Sequence, residues 1–518
     1  MSANDDFHQH DVIAFLSNPA SYEAGVGTVE RCETHGSIVF LAGEHAYKLK
    51  RAVKFPYMDY STVGRREQMC RRELEVNRRT APMLYLDVKP VVRGNSEALR
   101  FGTDEERSSA ADWVLVMRRF DQENLLEQMR IAGNLTPPLM RSLAETVASF
   151  HARAEITPGF GGATELRNIV EENTAILTSM IGRPFGAEST ARYCAEVTGL
   201  LRNVSSLLDA RRDQGRVRRC HGDLHLNNIC MIGAVPVLFD AIEFSDRFAC
   251  IDVLYDLAFL LMDLDRHGMR GHANAVLNRY LELTGDHAGV AALPLFLSCR
   301  AAIRAHTAVA AAEAMEDRTM RGAKLQHASS LLDHALSYLA KPSPLLVAVG
   351  GVSGTGKTTL ARALAPLLGA APGAIVIRSD VIRKQLMGVH ETARLPESAY
   401  APAVTQAVYD RIAELATTVL ATGYIAVADA VYGKESERLA LAKIADRTGL
   451  PFRGVWLEAP AQLLEPRITS RRGDASDATT DVLRAQLGFV STPGEWTHVS
   501  AAGSPDQTIM EARRALGC

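Results

Sequence analysis

The segment 351–358 reads Gly-Val-Ser-Gly-Thr-Gly-Lys-Thr, which places glycines, a lysine and a hydroxyl at fixed spacing. It matches the pattern G-x-x-x-x-G-K-[ST], in which glycines allow backbone N–H groups to wrap around phosphates. An apolar run precedes this segment and a helical pattern follows it, as a phosphate-binding loop requires, whereas the alternative is a glycine-rich turn without a ligand. We call 351–358 the phosphate loop and expect nucleotide contacts from these residues: Gly351, Gly354, Gly356, Lys357, Thr358 and Thr359.

Two aspartates follow apolar runs in the same region. Asp429 lies near the end of 424–432, where open α/β sheets bind ligands, so we expect it to hold Mg²⁺ together with the Thr358 hydroxyl. Its alternative role is to cap the next turn. Asp380 is predicted to act as a base or to orient an acceptor hydroxyl, and it could equally be the N-cap of a helix. Arg383 could hold an anionic group of the substrate.

Arginines cluster further along, around the flexible stretch Gly-Asp-Ala-Ser. Arg471 and Arg472 precede that stretch, and Arg467 lies one turn earlier. Mobile arginines over a phosphate site stabilise charge during phosphoryl transfer, so Arg471 is predicted to be catalytic and Arg467 to contact the nucleotide. The alternative is the solvated basic end of a helix.

A second cluster lies in the segment His221-Gly-Asp-Leu-His-Leu-Asn-Asn228 and in Asp240, which follows a short apolar run. An aspartate, an asparagine five positions later and a second aspartate after a β segment form the arrangement of a kinase catalytic loop. Asp223 is predicted to accept the proton of the acceptor hydroxyl. Asn228 and Asp240 are predicted to hold Mg²⁺ against the ATP phosphates.

Upstream residues complete this second pattern. Lys48 lies in a predicted strand and Glu73 on the following helix, which is the order of the ion pair that positions ATP phosphates in kinases. Lys50 shares the strand face of Lys48, so the choice between the two lysines stays open. The segment 117–120 lies where a hinge strand would contact adenine. His221 and Glu243 favour structural roles, although Glu243 could also contact the metal or the substrate.

The predicted secondary structure around these residues changes along the chain. The segment 25–120 predicts short strands and one helix over 62–79, whereas 135–340 is mainly helical. Lys-Pro-Ser-Pro at 341–344 marks a boundary, because proline cannot continue a helix. Alternating strands and helices then extend to the C-terminus and predict a parallel sheet with helices on both faces.

The second cluster, with its upstream residues, resembles the aminoglycoside phosphotransferase family, whose signature HGDLHxxN is matched at 221–228. The resemblance implies a protein-kinase-like bilobal fold over 1–340, with a small β lobe at about 25–120 and a helical lobe at about 121–340. It also implies that Asp256 braces the catalytic loop. Departures are a glycine-rich loop reduced to Gly36-Ser37 and Asp-Ala-Ile-Glu in place of Asp-Phe-Gly.

The C-terminal third, 345–518, resembles P-loop kinases of the gluconate, nucleoside-monophosphate and polynucleotide kinase type. That resemblance rests on the phosphate loop, on 378–384, on Asp429 and on the arginine-rich segment. It implies a P-loop parallel α/β sheet. The order of both regions is similar to bacterial fusions of an aminoglycoside-type kinase with a P-loop kinase.

Bulk composition narrows the class of protein. The chain has 518 residues, 47% hydrophobic and 23% charged, and its formal net charge of −3 disfavours a nucleic-acid partner. Eight scattered cysteines without a CxxC pair predict a reducing cytosol. No signal peptide and no apolar run of membrane-spanning length is expected, so a cytoplasmic protein without membrane contact is predicted.

The combined prediction is an ATP- and Mg²⁺-dependent phosphotransferase with two nucleotide sites that phosphorylates hydroxyl groups of a small molecule, a sugar-like metabolite being favoured. One alternative is an antibiotic-modifying kinase of the aminoglycoside type. The arginine run 211–219 weighs against the acidic pocket that such a polycation needs. A second alternative is a regulatory or stress protein in which one domain binds ATP without turnover. The oligomeric state stays open.

Overall fold

The computed structural model describes residues 3–55, 57–94, 98–469 and 475–517. Packing divides the chain into two compact units. The first contains 1–162 and 209–260, and the second contains 163–208 and 261–518. The domain boundary predicted at 340–345 does not coincide with the division into units, because the second unit contains helices from both sides of it. The domain boundary therefore stays a prediction.

The first unit is built on a six-stranded sheet in which every neighbouring pair is antiparallel. In spatial order its strands are Val29–Glu33, Ser37–Ala42, His45–Lys50, Ala110–Arg118, Tyr85–Arg93 and Leu99–Phe101. A small ribbon, Lys54–Phe55 with Met58–Asp59, follows the third strand of the chain. Gly43 lies in the turn between the second and third strands, with a φ of +58°.

Helix Val63–Arg78 covers one face of this sheet, in agreement with the helix predicted over 62–79. Thr62 caps it, and Arg71 donates to Glu67 Oε1 at 2.9 Å, which forms an i,i+4 ion pair on the helix. Alternate side chains of the strand Ala110–Arg118 face opposite sides. Trp113 and Leu115 face the core that Cys70 of this helix enters.

A helix at Ala3–Ser17, which the sequence analysis did not predict, covers the other face of the sheet. Val12 and Leu16 enter the core there beside Val114 and Val116. Gln9 fixes the helix, because its amide donates to Lys50 O at 3.0 Å and to Asp112 Oδ2 at 2.9 Å. The small β region therefore has a hydrophobic core on each side.

The rest of the first unit carries short strands and helices around the catalytic-loop segment. Strand Val217–Arg219 pairs with Cys250–Asp252, and Ile229–Ile232 pairs with Val235–Leu238. The helices of this part are Leu126–Ile131, Pro137–Arg153, Asp246–Ala249 and Val253–Arg266, the last continuing past the unit boundary.

The predicted helical character of 135–340 is confirmed. The further helices are Gly162–Ser179, Ala187–Asp213, Arg270–Thr284, Leu293–Glu313 and Arg318–Ser337. Among the described residues, one stretch, 288–313, is long and apolar enough to cross a membrane by length and composition, contrary to the sequence-based expectation. Its window is 72% buried inside the protein, which is the behaviour of a core helix that happens to be rich in alanine and leucine.

The C-terminal region forms the predicted parallel sheet. In spatial order its strands are Ile375–Arg378, Ala426–Asp429, Leu346–Gly350, Phe452–Glu458 and Thr497–Ser500. Its helices are Lys357–Leu364, Ser379–Leu386, Pro402–Ala421, Glu435–Thr448, Ala461–Thr469, Thr480–Phe489 and Pro505–Leu516. Valines of the strands form a core with the first and last of these helices. Both predicted fold classes, the antiparallel sheet with helices and the parallel P-loop sheet, are confirmed.

Candidate functional sites

Five charged side chains from three separate segments meet in the first unit. Lys48 Nζ lies 2.7 Å from Glu73 Oε1 and 2.6 Å from Asp240 Oδ1. Lys50 Nζ lies 2.6 Å from Glu73 Oε2 and 2.5 Å from Glu243 Oε1. We call Lys48, Lys50, Glu73, Asp240 and Glu243 the two-lysine cluster. Both lysines reach Glu73 because alternate residues of a strand share a face.

The two-lysine cluster is largely buried, so its positive and negative charges must be paired within the protein. The side chain of Glu73 is 0% exposed and that of Lys50 is 1% exposed. Burial opposes the charged form of Lys48, but the carboxylates of Asp240 and Glu73 outweigh it and raise the Lys48 pKa well above its ordinary value. The carboxylates of Glu243 and Glu73 raise the pKa of Lys50 in the same way, against its burial. Both ammonium groups are therefore charged at neutral pH.

Glu243 has the contacts of a structural partner. Its Oε1 accepts from Lys50 and, at 2.7 Å, from the Tyr60 hydroxyl, and its side chain is 8% exposed. Asp240, by contrast, is 41% exposed at its side chain, although it pairs with Lys48. The cluster thus has one buried end at Glu243 and one accessible carboxylate at Asp240.

The catalytic-loop segment brings Asp223 and Asn228 together. Asn228 Nδ2 donates to the Asp223 carbonyl and to Asp223 Oδ2, both at 2.9 Å. His225 Nε2 also lies 3.3 Å from Asp223 Oδ2. The Asp223 side chain is 39% exposed, so it is accessible to an acceptor. The hairpin holds the loop, since Phe239 N donates to Asn228 O at 3.0 Å.

Asp256 lies behind this loop, in the position that the resemblance implies for a brace. Its carboxylate accepts from His221 N at 3.1 Å and from Gly222 N at 2.8 Å, and it lies 3.0 Å from His151 Nε2. His221 Nε2 donates to Phe239 O at 2.9 Å, and burial lowers the pKa of His221, so its ring is neutral. These contacts support the structural role expected for His221.

Two residues that position Asp240 were not predicted. Asp240 has a φ of +62°, and its N–H donates to the Tyr85 hydroxyl at 3.0 Å. Asn77 Oδ1 accepts from Ala241 N at 2.8 Å. Because Asn77 lies four residues after Glu73, both face the same side of their helix. That spacing was the signal available in the sequence.

The segment predicted as a hinge, 117–120, lies at the end of a central strand. Arg118 N donates to Leu84 O and Arg119 N to Glu44 O, both at 2.8 Å. Phe120 contacts the ring of Phe239, whose centroid is 5.3 Å away, immediately before Asp240 in the chain. This places the segment beside the metal-ligand candidate, and its contact with adenine stays a prediction.

The phosphate loop connects strand Leu346–Gly350 to helix Lys357–Leu364, as predicted. Gly351, Gly354 and Gly356 have φ values of +137°, +91° and +91°, which side chains with a Cβ rarely adopt. A Cβ on Gly351 would lie 2.6 Å from Leu457 O, whereas none of the described atoms lies within 4 Å of a Cβ on Gly356. Lys357 Nζ donates to the loop carbonyl of Val352 at 3.0 Å, and Thr359 is exposed.

Thr358 and Asp429 are the pair expected to hold a metal. Thr358 Oγ1 donates to Asp429 Oδ2 at 2.6 Å, and Asp429 ends the strand next to the one that leads into the phosphate loop. A hydroxyl and a carboxylate at the carboxyl edge of a parallel sheet are donors that Mg²⁺ prefers. The residues present therefore fit a magnesium ion beside a phosphate-binding loop.

Asp380 lies at the same edge of the sheet, in the first turn of helix Ser379–Leu386. The N-cap of that helix is Arg378, so the alternative of Asp380 as the cap is wrong. Arg383 is buried, and its guanidinium donates to Ala399 O at 2.8 Å and lies 4.8 Å from the centre of the Tyr400 ring. These contacts are structural, and they leave Asp380 as the more accessible of the two candidates.

The two arginine predictions have different outcomes. Arg467 lies on helix Ala461–Thr469, which packs on the phosphate loop through Leu464 and Ile468 beside Gly354. Its guanidinium donates to Ala501 O at 2.9 Å. Arg471, together with Arg472, lies outside the residues that the structure describes.

The arginine run 211–219 has structural partners. Arg211 donates to both oxygens of Asp252 at 2.7 and 2.8 Å, and Arg218 donates to three carbonyls of the segment 151–154. Arg219 lies 2.6 Å from Asp246. Arg211 is 2% exposed, so the first member of this run is a buried residue with a structural partner.

Comparison with known proteins identifies both regions. Residues 64–293 match the profile of the phosphotransferase enzyme family, and residues 346–493 match that of an AAA domain. Uncharacterised proteins of Mycobacterium tuberculosis and Mycobacterium bovis are each 28% identical to the chain over 495 residues, which covers 93% of this chain and 94% of theirs.

Solved structures resemble each region separately. A gluconokinase from Sinorhizobium meliloti is 24% identical, covers 34% of this chain and 93% of its own, and gives a TM-score of 0.25. A choline/ethanolamine kinase family protein from Mesorhizobium loti is 14% identical, covers 64% and 99%, and gives 0.36. The choline kinase of Cryptosporidium parvum is 12% identical, covers 64% and 98%, and gives 0.37.

The predicted fusion of a phosphotransferase-type region with a P-loop region is therefore confirmed. The first match contains the two-lysine cluster apart from its lysines, together with the catalytic loop, and the second contains the phosphate loop and Asp429. One chain thus joins a region that matches the phosphotransferase enzyme family, 64–293, to a region that matches an AAA domain, 346–493.

Proposed function

We propose that the protein is an ATP- and Mg²⁺-dependent phosphotransferase with two nucleotide sites, each able to transfer a phosphoryl group to a hydroxyl of a small molecule. A sugar-like metabolite is the favoured acceptor class. The observation that carries this proposal is the meeting of Lys48, Glu73 and Asp240 in one cluster, since Lys48 and Asp240 are 192 positions apart. A protein that kept this fold but did not bind nucleotide would not require a lysine between two carboxylates at this place.

In the first site, each residue has a separate task. Lys48 is held in place for the phosphates by its own strand and by its ion pair with Glu73. Asn228 and Asp240 would supply an amide oxygen and a carboxylate oxygen to the metal. Asp223, oriented by Asn228, accepts the proton of the acceptor hydroxyl. Bound Mg²⁺ neutralises phosphate charge, and the protein contributes mainly positioning.

In the second site, the backbone amides of the phosphate loop bind the phosphates, with Lys357 at the β- and γ-positions. Thr358 and Asp429 hold the metal, and Asp380 orients the acceptor hydroxyl from the adjoining strand end. Arg467 and Arg471 supply positive charge near the transferring group. This division resembles the first site in chemistry but not in fold.

The experiment is a screen of sugars, polyols, nucleosides and aminoglycosides for ATP-dependent phosphorylation by the wild-type chain. Each positive acceptor is then tested with the Asp223→Ala and Lys357→Ala variants. We expect each substitution to remove the product of its own site and to leave the other product in place. A product that is still formed by both variants would contradict the assignment of that reaction to these sites.

The same screen separates the alternatives. Phosphorylation of aminoglycosides alone would favour an antibiotic-modifying enzyme. Activity that depends on Asp223 but not on Lys357 would favour a P-loop domain that binds nucleotide as a regulator. Mass spectrometry of the product distinguishes a phosphorylated acceptor from simple ATP hydrolysis.

A further inference from the structure

The helix Arg270–Thr284, which we call the bridging helix, has a polar stripe at a spacing of four residues. Arg270, Asn274, Asn278 and Glu282 lie on one face of it, because side chains at i and i+4 are stacked along a helix. The helix lies inside the phosphotransferase-family match and outside the AAA match. Nevertheless, every member of the stripe contacts the P-loop domain, within one compact unit.

The middle of the stripe pairs with the backbone of an edge strand. Among the residues that the structure describes, strand Ile375–Arg378 has a strand neighbour on one side only. On its other side, Val376 N donates to Asn278 Oδ1 at 2.7 Å, and Asn274 and Asn278 both donate to Ala374 O, at 3.0 and 3.2 Å. Side-chain amides thus satisfy the backbone groups that an edge strand normally exposes.

The end of the stripe brings a carboxylate toward the metal-ligand candidates. Glu282 Oε1 lies 3.8 Å from Arg378 Nη1, and Arg378 Nε lies 3.9 Å from Asp429 Oδ2. Asp429 in turn accepts from Thr358. The Arg378 side chain is 2% exposed and the Glu282 side chain 10%, so water screens these charges weakly.

We infer that Glu282 is a positioning residue of the P-loop site, which acts through Arg378 to keep Asp429 available for Mg²⁺. The inference rests on the proposed function of that site. The positive charge of Arg378 competes with a metal for Asp429, and Glu282 offsets part of that charge from the opposite side. The phosphate-binding domain is therefore completed by a residue of the preceding domain.

The direction of the effect follows from the charges. Without the Glu282 carboxylate, the attraction that draws Arg378 away from Asp429 is lost, so the attraction between Arg378 and Asp429 is less offset. A closer Arg378–Asp429 pair weakens metal binding at Asp429. Arg279 Nη1, which lies 3.1 Å from Glu282 Oε2, has Glu391 at 2.8 Å as a second partner, so loss of Glu282 does not leave it isolated.

The test uses the full chain with Asn228→Ala and Asp240→Ala, which remove the metal ligands of the first site. Binding of ADP is titrated by calorimetry at several Mg²⁺ concentrations, and its loss in Lys357→Ala identifies the P-loop site. Glu282→Gln is expected to raise the Mg²⁺ concentration for half-maximal effect by about 3- to 30-fold, in the range of coupling between contacting charges. Glu282→Asp, which keeps the charge, is expected to give a smaller change.

A double-mutant cycle separates positioning from general damage. In an Arg378→Met background, Glu282→Gln is expected to change the Mg²⁺ dependence by less than about 2-fold, because the group through which it acts is gone. Asn278→Ala is the matched control, since it breaks the same docking surface without altering charge. It should lower stability and leave the Mg²⁺ dependence unchanged.

Three results would overturn the inference. They are an unchanged Mg²⁺ dependence in a folded Glu282→Gln chain, an undiminished effect in the Arg378→Met background, and an equal shift in Asn278→Ala. If Glu282→Gln does not fold, the Arg378→Met chain provides the test, because loss of the competing charge should lower the Mg²⁺ concentration for half-maximal effect, and no decrease would count against the inference. If Lys357→Ala removes no ADP binding, the proposed P-loop site itself is refuted instead.

Discussion

At the scale of single residues, Glu73 is the side chain on which the first site depends most. It is fully buried and accepts hydrogen bonds from two lysines. One of them, Lys48, also pairs with Asp240, and the other, Lys50, also pairs with Glu243. Its helix also presents Asn77 to the backbone next to Asp240. Glu73 therefore determines the position of both the phosphate-facing lysine and the metal-ligand segment.

Replacement of Glu73 tests this dependence. Glu73→Ala leaves two buried ammonium groups with fewer partners, so we expect a loss of about 3–5 kcal/mol in the free energy of unfolding. Glu75→Ala, on the same helix with a side chain that is 74% exposed, is the control and should change stability by less than about 0.5 kcal/mol. Urea unfolding measures both. Equal stability of the two variants would contradict the importance of the two-lysine cluster.

His306 gives the protein a predictable response to acid. Burial lowers the pKa of His306 to about 4, and its Nε2 lies 3.2 Å from Asn173 Oδ1. In the unfolded chain the imidazole takes up a proton near pH 6.5, whereas the folded chain resists until about pH 4. The contribution of His306 is therefore complete above pH 6.5 and is lost as the pH falls toward 4.

This linkage amounts to about 2–3 kcal/mol of unfolding free energy between those limits. We expect the stability of His306→Gln to fall less steeply than that of the wild-type chain when urea unfolding is repeated from pH 7 to pH 4.5. Identical slopes for the two proteins would show that this histidine is not the group that titrates.

At the scale of elements, the phosphate loop illustrates how backbone conformation determines a binding site. The loop reverses direction between a strand and a helix, and its three glycines have positive φ values. At Gly351 there is also a close neighbour, the carbonyl of Leu457, which belongs to the next strand of the sheet. The loop is therefore constrained both by its own dihedral angles and by the sheet.

Gly351→Ala tests that constraint. A Cβ there meets Leu457 O at 2.6 Å, so the loop must shift, and we expect nucleotide affinity at the P-loop site to fall by about 10-fold or more. Gly449→Ala is the control, because its φ is +66° but none of the described atoms lies within 4 Å of its Cβ. It should cost about 1 kcal/mol of stability from strain alone and leave nucleotide affinity intact. Similar affinities of the two variants would contradict a packing constraint at Gly351.

At the scale of the whole molecule, the sequence predicts what is local. The phosphate loop, the catalytic-loop segment and the helix over 62–79 are recognisable because their residues lie within a few turns of one another. The positions of Lys48, Glu73 and Asp429 follow from strand and helix patterns. The N-terminal helix Ala3–Ser17 is missed because its packing depends on a sheet that forms later in the chain.

Pairings between distant segments are not predictable from such patterns. The contact of Lys50 with Glu243 spans 193 positions and depends on the register of the strand against the turn after Asp240. The stripe on the bridging helix is visible as a spacing of four, yet nothing in the spacing says which strand edge it covers. For that reason Glu282 and Arg378 emerge only from the structure.

The central claim is that one chain holds two separate nucleotide sites. The most direct measurement is the number of molecules of a non-hydrolysable ATP analogue bound per chain with saturating Mg²⁺, by equilibrium dialysis. We predict two for the wild-type chain, one for Lys48→Ala, one for Lys357→Ala and none for the double variant. A wild-type value of one, or loss of all binding in either single variant, would contradict the claim.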